Sequence, residues 1–151
     1  SVSRSSAKFD PAELLVLNAR LVHDMPYAAA SERLTALGIA GGEAFWMAVR
    51  GNCEKVEDAK LYWQIVEGPV ESRIEDEDRD YVSKARDLLP DGDVTAETWS
   101  AWTQALKAET GRKGRGLFMP LRRVLTGLDH GPDMKEMLPL IGRQNILDRL
   151  P

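Results

Sequence analysis

Few side chains capable of catalytic chemistry occur in this sequence. Its two histidines, His23 and His130, stand apart from the single Cys53 and do not pair with carboxylates at the spacing of a metal site. It has no Gly-x-Ser-x-Gly nucleophile motif, and the glycines of residues 111–116 lack both a following Gly-Lys-Ser/Thr and a preceding strand. The sequence therefore predicts no catalytic residue and no metal site.

A basic stretch is the clearest chemical feature. Residues 111–123 contain no acid, and an apolar Leu-Phe-Met run at residues 117–119 lies among their five cationic side chains. Lys and Arg drive most phosphate binding, so a stretch of this kind predicts a local basic face. The five residues are Arg112, Lys113, Arg115, Arg122 and Arg123.

The net charge of −4 speaks against a nucleic-acid partner if the charge is spread evenly. Residues 71–80 hold six acids against Arg73 and Arg79, so this segment alone carries −4 and the rest of the chain is neutral. These carboxylates could bind a divalent cation, but their spacing fits no EF-hand, and a charge run is usually a solvated face. We expect a linker or the solvated start of a helix.

Length and composition indicate a folded, water-soluble chain. Its 151 residues fit one globular unit or two small packed ones, and 43% hydrophobic residues are enough for a core. Apolar runs such as Leu14–Leu17 are far too short to cross a bilayer, so we expect no membrane association. A single cysteine excludes an internal disulfide and suits the cytoplasm. The polar Ser1–Lys8 segment, without a signal peptide or an initiating Met, predicts a fragment of a longer protein.

The first half of the chain has the spacing of amphipathic helices. Asp10-Pro11 reads as an N-cap followed by a first-turn proline, and Met25-Pro26 should end that helix. A second helix is expected from about Ala28 to Gly38, and a third after Gly41-Gly42 up to a break at residues 50–52. Apolar residues from Val56 to Val66 predict a fourth, stopped by Gly68-Pro69.

The second half continues in the same way. A helix is expected around residues 81–89, another capped by Thr95, and a flexible basic loop over residues 111–116. Pro120 suits the first turn of a short helix reaching Leu125, and further short helices should follow Pro132 and Arg143. Strand-like alternation is absent, so the fold class is all-α, with two packed helical subdomains at residues 1–70 and 71–151.

Four tryptophans offer flat surfaces on which a nucleobase could stack. Trp99 and Trp102 are three residues apart on a capped helix, a spacing more typical of core positions. The same interpretation applies to Trp46 and Trp63.

Residues 113–127 read KGRGLFMPLRRVLTG, which resembles the C-terminal signature of bacterial glutamyl-tRNA synthetases. Further matches to that signature are Gly131-Pro132, Leu140-Ile141-Gly142 and Arg149-Leu150. Residues 7–10 with Leu17-Asn18 are similar to the family segment just after the catalytic domain. The adenylate-forming motifs of the family are missing. The resemblance therefore implies tRNA recognition by an α-helical anticodon-binding cage, with ATP and Mg²⁺ used only by an upstream catalytic domain, and predicts that this fragment is inactive alone and binds no cofactor.

The resemblance also implies individual roles. Arg122 matches the arginine that contacts the first anticodon base, where a guanidinium can donate to base edges and stack. Gly131, Pro132 and Met134 fall where the family loop touches anticodon bases, although Thr and Leu are expected where Gly131 and Met134 stand. The alternatives are a surface arginine paired with an acid, a turn and a core residue. Phosphate contacts are expected of Arg112, Lys113, Arg115 and Arg123, against the alternative of a solvated loop.

Discrimination between glutamate and glutamine tRNAs depends on the third anticodon base, cytosine in one and guanine in the other. An arginine reads that cytosine in strictly discriminating members of the family. The corresponding position here is Asn52, or Arg50 if the alignment shifts by two residues. Asn52 could instead cap a helix starting near Lys55. Because Asn is short and neutral, we expect the parent enzyme to accept both tRNAs.

The resulting hypothesis is a monomeric, cytoplasmic tRNA-binding unit that works with its own catalytic domain on a glutamate-accepting tRNA. A helical protein-interaction module whose basic segment binds an acidic partner is the alternative. Preference for tRNA over heparin distinguishes the two, because an unselective basic patch would take either polyanion.

Overall fold

The computed structural model describes residues 11–151, except for the side chains of residues 13–16. The expected Asp10 cap and the family match at residues 7–10 lie outside this range. All regular structure within residues 11–151 is helical, with nine α-helices, three 3₁₀ turns and no strand, which confirms the all-α fold class. None of these helices combines the length and apolar character needed to span a bilayer.

The chain forms two compact units, the first ending at Lys60 and the second running over Leu61–Pro151. This division lies inside a helix and differs from the expected subdomains 1–70 and 71–151. The expected boundary, which concerns function, stays a prediction.

The described part of the N-terminal unit, from Pro11 onward, has three complete α-helices joined by short breaks. They are α1 (Pro11–His23), α2 (Tyr27–Ala36) and α3 (Gly42–Val49), followed by 3₁₀ turns at Arg50–Asn52 and Val56–Asp58. Pro26 interrupts the chain between α1 and α2, as the sequence predicts, because a proline has no amide hydrogen for a continuing helix. The fully buried residues of the N-terminal unit include Phe45, Trp46, Val49 and Val56.

Two donors converge on the backbone carbonyl before the break. Trp46 Nε1 donates to Met25 O over 2.8 Å, and Arg50 Nη1 donates to the same oxygen over 3.0 Å. These bonds tie α3 and the 3₁₀ turn after it to the segment between α1 and α2.

The C-terminal unit contains five complete α-helices and most of a sixth, which begins at Ala59. They are α4 (Ala59–Glu67), α5 (Arg79–Leu88), α6 (Ala96–Thr110), α7 (Arg115–Thr126), α8 (Met134–Ile141) and α9 (Arg143–Arg149), with a 3₁₀ turn at Asp76–Asp78. Helix α6 packs against α5, α7 and α8. Fully buried core residues include Val82, Trp102, Leu106, Leu121, Leu125, Met137, Leu138 and Ile146.

Helix α6 begins as expected at Thr95. The Thr95 hydroxyl oxygen accepts a hydrogen bond from Glu97 N over 3.2 Å, and Thr98 Oγ1 accepts one from Thr95 N over 2.8 Å. These bonds satisfy amide groups that the first helical turn leaves without partners.

Helix α7 differs from its prediction. Pro120 was expected in the first turn, but α7 begins at Arg115 and Pro120 lies inside it. Residue 120 has no amide hydrogen to offer Gly116 O, the carbonyl four residues earlier. That oxygen instead accepts a hydrogen bond from Arg112 Nη1 over 3.1 Å. A side chain from the preceding loop thus replaces the missing donor, which sequence spacing does not reveal.

The acidic segment is not uniformly solvated. Asp78 is buried, with 7% of its surface exposed, and its carboxylate is 2.7 Å from Arg112 Nη1. Earlier in the segment, Arg73 N donates to Arg123 O over 3.1 Å near the end of α7. The expectation of a solvated linker is therefore wrong at Asp78, where a buried carboxylate is compensated by a paired cation.

Candidate nucleic-acid interface

Arg122 and the loop before α8 form the centre of the candidate site. Arg122 is half-buried on α7, and its Nη1 donates to Pro132 O over 3.0 Å. The same nitrogen lies 3.3 Å from the point where a Cβ on Gly131 would stand. Burial lowers the pKa of Arg122, and the nearby Asp133 carboxylate opposes this shift. Three residues predicted separately from the sequence are thus close together, and the arginine is bonded to a backbone carbonyl rather than to a surface acid.

An open cavity of about 250 Å³ adjoins this cluster. Arg122 and Asp133 supply opposite charges to its wall, and the Asp133 side chain also caps α8 by accepting from Lys135 N over 3.0 Å. The residues that line this cavity are Trp99, Phe118, Met119, Arg122, Asp133 and Met134. Although Met134 lines the cavity, it is only 2% exposed, so it contributes mainly to the floor.

Three aromatic rings lead from the core to this cavity. Trp102 is fully buried and donates from Nε1 to Ala85 O over 2.8 Å, which confirms its core assignment. Trp99 is only half-buried. Its ring centroid lies 6.0 Å from that of Trp102 in a T-shaped arrangement and 6.1 Å from that of Phe118 in a tilted one. Phe118 is 42% exposed. Trp99 was expected at a core position, with base stacking as the alternative, and Phe118 was not predicted as a site residue, although a bulky aromatic within a basic stretch was an available signal.

The basic loop separates into engaged and exposed cations. Arg112 donates to Asp78 Oδ1, Gly116 O and Glu77 O, and its guanidinium lies 4.2 Å from the ring centroid of Tyr81. Lys113 and Arg115 are exposed, the latter as the first residue of α7. The phosphate contacts predicted for these residues stay predictions, and the geometry favours Lys113 and Arg115 over Arg112.

Phe118 also lines a second cavity, of about 260 Å³. Its charged residues are Lys107 and Lys113, and it also has Ser100, Thr103, Gln104, Gly114, Leu117 and Phe118 in its wall. Lys107 was not identified from the sequence, because Glu109 separates it from the acid-free stretch that begins at residue 111. The packing of α6 on α7 brings it into the same cavity as Lys113.

Arg123, the last of the predicted phosphate ligands, is half-buried near the end of α7. Its Nε is buried without a hydrogen-bond partner in the described part of the chain. A buried donor of this kind is costly unless something accepts from it, so Arg123 is a weaker candidate than Lys113 for a solvent-exposed phosphate contact.

Arg50 and Asn52 lie in the N-terminal unit, in the 3₁₀ turn that follows α3. Arg50 donates to Met25 O, whereas Asn52 is exposed. The next turn has Lys55 as its N-cap residue, and Asp58 Oδ2 accepts from Lys55 N over 3.2 Å. The cap expected at Asn52 for a helix starting near Lys55 is therefore not the one observed, which leaves the Asn52 side chain at the surface.

Within residues 11–151 no three His, Cys, Asp or Glu side chains come close enough to hold a metal ion. His130 Nδ1 lies 2.9 Å from Asp129 Oδ1 in an exposed pair, and that hydrogen bond lowers the pKa of Asp129. The two cavities lined by Phe118 combine aromatic rings with cations. This combination is suited to binding unstacked bases and phosphates.

Known proteins agree with this interpretation of the fold. The family model of the anticodon binding domain matches residues 56–151, and the chain belongs to that family. It is 53% identical over 150 residues to a protein named glutamate–tRNA ligase 2 from Hyphomonas neptunium, covering 99% of this chain and 34% of that protein. It is 54% identical to glutamate–tRNA ligase 2 of Methylorubrum populi, covering 99% and 33%. The chain thus spans about a third of the length of these curated relatives.

A solved structure shows the same fold. The crystal structure of a glutamate tRNA ligase from Elizabethkingia meningosepticum, in complex with its amino acid, matches with a TM-score of 0.72. The match has 18% sequence identity and covers 93% of this chain and 31% of that one. At that identity the likeness supports the helical architecture alone.

Proposed function

We propose that this chain recognises the anticodon of a glutamate-accepting tRNA as the C-terminal part of a glutamate–tRNA ligase. The observation that carries the proposal is the cluster of Arg122, Gly131 and Pro132 beside an aromatic cavity, within the residues that match the anticodon-binding family. The named relatives support the choice of amino acid.

Arg122 is suited to read a base edge. A guanidinium has five N–H donors in one plane, so the bond from Nη1 to Pro132 O fixes its orientation and leaves donors for a base. Anticodon bases are unstacked in a loop and expose the edges that such donors recognise. A Cβ on Gly131 would stand 3.3 Å from Arg122 Nη1, so glycine at this position leaves room for the guanidinium.

Exposed cations supply the sequence-independent part of the binding. Lys113 and Arg115 need no special geometry to meet phosphates, and they would orient the tRNA without reading its sequence. Binding energy at the anticodon then places the distant acceptor end in the catalytic domain, which raises specificity without local chemistry.

ATP and Mg²⁺ belong, in this proposal, to the catalytic domain that makes up the rest of the ligase. The proposed partners are that domain and a glutamate-accepting tRNA, with a glutamine tRNA also accepted because Asn52 provides no fixed cation. A monomer in the cytoplasm is the proposed state. This chain alone should support no glutamate-dependent pyrophosphate exchange.

Titration of the chain with three polyanions over a range of salt concentrations tests the proposal. A glutamate-accepting tRNA should bind more tightly than heparin, and replacing its first anticodon base should cost about 1–3 kcal/mol. Equal binding of heparin and of both tRNAs would instead support the alternative, a protein-interaction module with an unselective basic face.

A further inference from the structure

Phe118 is an exposed aromatic side chain on α7. It follows the buried Leu117 on α7, yet 42% of its surface is accessible. Single exposed apolar side chains are common on protein surfaces and need no explanation by themselves. This one is backed by Trp99, which in turn contacts the fully buried Trp102, so the exposed ring is held by a row of rings anchored in the core.

Phe118 lies in the walls of two cavities that differ in charge. One of them also contains Arg122 and Asp133, and the other contains Lys107 and Lys113. Among the described residues that line the second cavity, the charged side chains are both cationic. Its polar lining is otherwise neutral, since Thr103 donates to carbonyls of its own helix and Gln104 donates to Ser100 Oγ.

A flat ring shared by the cavity that contains Arg122 and the cavity that contains the two lysines matches the repeating unit of single-stranded RNA. Each nucleotide has a planar base and one phosphate, and sequence-tolerant RNA binding combines aromatic stacking with cations that follow the backbone. A small inorganic anion would use only the lysines and would leave the ring without a function.

We propose that Phe118 is a stacking platform for one base of the bound RNA loop, and that Lys107 with Lys113 binds a phosphate next to that base. The inference rests on the proposed function and deepens it by adding Phe118 and Lys107 to the contact surface. Arg122 reads a base edge from the first cavity, which it lines together with Phe118.

Fluorescence anisotropy with a labelled RNA stem-loop carrying the glutamate anticodon tests this site in the 151-residue chain. Phe118→Leu keeps apolar contact with Trp99 and loses the ring, so its affinity should fall about 5- to 100-fold. Phe118→Tyr keeps the ring and should bind within about twofold of the wild type. Lys107→Gln should weaken binding and reduce the slope of log affinity against log salt by about 0.7.

Lys84→Gln is the matched control, because Lys84 is a comparably exposed lysine on α5 that pairs with Glu109 over 3.9 Å and lines neither cavity. It should leave both affinity and salt slope unchanged. Far-ultraviolet circular dichroism and the thermal midpoint of each variant verify folding, and only folded variants enter the comparison. If Phe118→Leu unfolds, Phe118→Met takes its place, because it also keeps an apolar side chain beside Trp99 and loses the ring, and its affinity should fall by the same factor.

The outcomes separate this inference from the proposed function. A wild-type chain that does not bind the stem-loop overturns both. Wild-type binding together with Phe118→Leu and Lys107→Gln affinities within twofold overturns the platform and leaves anticodon recognition standing. A loss in only one of the two variants overturns the joint base-and-phosphate site.

Discussion

Arg112 and Asp78 form an ion pair in which the guanidinium Nη1 lies 2.7 Å from the carboxylate Oδ1, although the residues are far apart in sequence. The same guanidinium donates to Gly116 O, covers the ring of Tyr81 and donates to Glu77 O. Arg112 thereby links the turn before α5 to the first turns of α7, the helix that carries Phe118 and Arg122.

Removing this link should destabilise the C-terminal unit. Because the Asp78 side chain is 9% exposed and that of Arg112 is 28% exposed, we expect Arg112→Ala or Asp78→Asn to cost about 1–3 kcal/mol of unfolding free energy. Arg79→Ala is the matched control, since its pair with Asp76 is largely exposed and should contribute less than about 1 kcal/mol. Urea denaturation measures all three, and equal losses at Arg112 and Arg79 would contradict a structural role for the buried pair.

Two glycines that end helices allow a matched test of packing. Gly111 after α6 has φ 73° and Gly127 after α7 has φ 77°, so alanine is equally strained in the backbone at both. A Cβ on Gly127 would lie 2.5 Å from Glu71 O, whereas among the described residues none comes within 4 Å of a Cβ on Gly111. We expect Gly111→Ala to cost about 1–2 kcal/mol and Gly127→Ala clearly more. Thermal unfolding with similar losses at the two positions would show that the Glu71 backbone moves aside freely.

Arg122 and Lys113 should differ in the kind of binding they lose. Arg122→Ala should weaken binding of the cognate tRNA by about 1–3 kcal/mol and reduce discrimination against an altered anticodon, because a base contact is lost. Lys113→Ala should cost less and affect every tRNA alike, because a phosphate contact carries no sequence information. Equal, anticodon-independent losses would reduce Arg122 to a phosphate ligand.

Alkaline pH should lower the free energy of unfolding through two buried weakly acidic groups, the Cys53 thiol and the Tyr81 hydroxyl. Burial raises the pKa of Cys53 from 9.0 to about 12 and that of Tyr81 from 10.0 to about 12. In the folded chain both groups keep protons that the unfolded chain releases, so their stabilising contribution is complete below pH 9.0 and declines as pH rises toward about 12. Urea midpoints measured from about pH 8 to pH 11 should therefore fall.

The Cys53→Ala variant isolates the first part of this decline. Its stability should depend less steeply on pH just above 9.0, while the part due to Tyr81 remains. The slope is compared rather than the absolute stability, since the substitution also removes buried volume. An unchanged slope would show that Cys53 titrates normally in the folded chain.

Asn52 and Arg50 should separate tRNA discrimination from stability. Asn52→Arg adds an exposed cation and should favour a stem-loop with cytosine over guanine at the third anticodon base. The Watson–Crick edge of cytosine offers two acceptors to a guanidinium, whereas that of guanine offers two donors. Arg50→Ala should leave that preference unchanged and cost about 0.5–1.5 kcal/mol of stability, since Met25 O keeps its bond from Trp46. A wild-type chain that already rejects the guanine stem-loop, and loses this preference in Arg50→Ala, would identify Arg50 as the reader.

The sequence revealed helices wherever local rules decide them. The Pro26 break, the Thr95 cap and the Gly68-Pro69 stop are each determined by a residue with limited backbone options, and all appear in the structure. The start of α7 depends instead on a donor, Arg112, whose position relative to Gly116 is set by tertiary contacts with Asp78 and Tyr81. Local patterns therefore favoured a later start.

The candidate site was predicted in the same uneven way. Arg122 belongs to the 113–127 motif and Gly131-Pro132 to a separate match shortly after it, and the three lie together in space. Lys107 and Trp99 belong to α6, so only the packing of α6 on α7 brings them to Phe118. Helical spacing placed Trp99 and Trp102 on one face but could not determine which of the two rings lies at its edge.

The buried indoles of Trp46 and Trp102 give each unit an internal optical probe. Each is fully buried and donates from Nε1 over 2.8 Å to a backbone carbonyl within its own unit. Loss of that environment on unfolding shifts indole emission to longer wavelength. Trp46→Phe therefore removes the tryptophan signal of the N-terminal unit and leaves Trp63, Trp99 and Trp102 to report on the C-terminal unit. Intrinsic fluorescence can therefore report whether the two units melt in one step or in two, without an added dye.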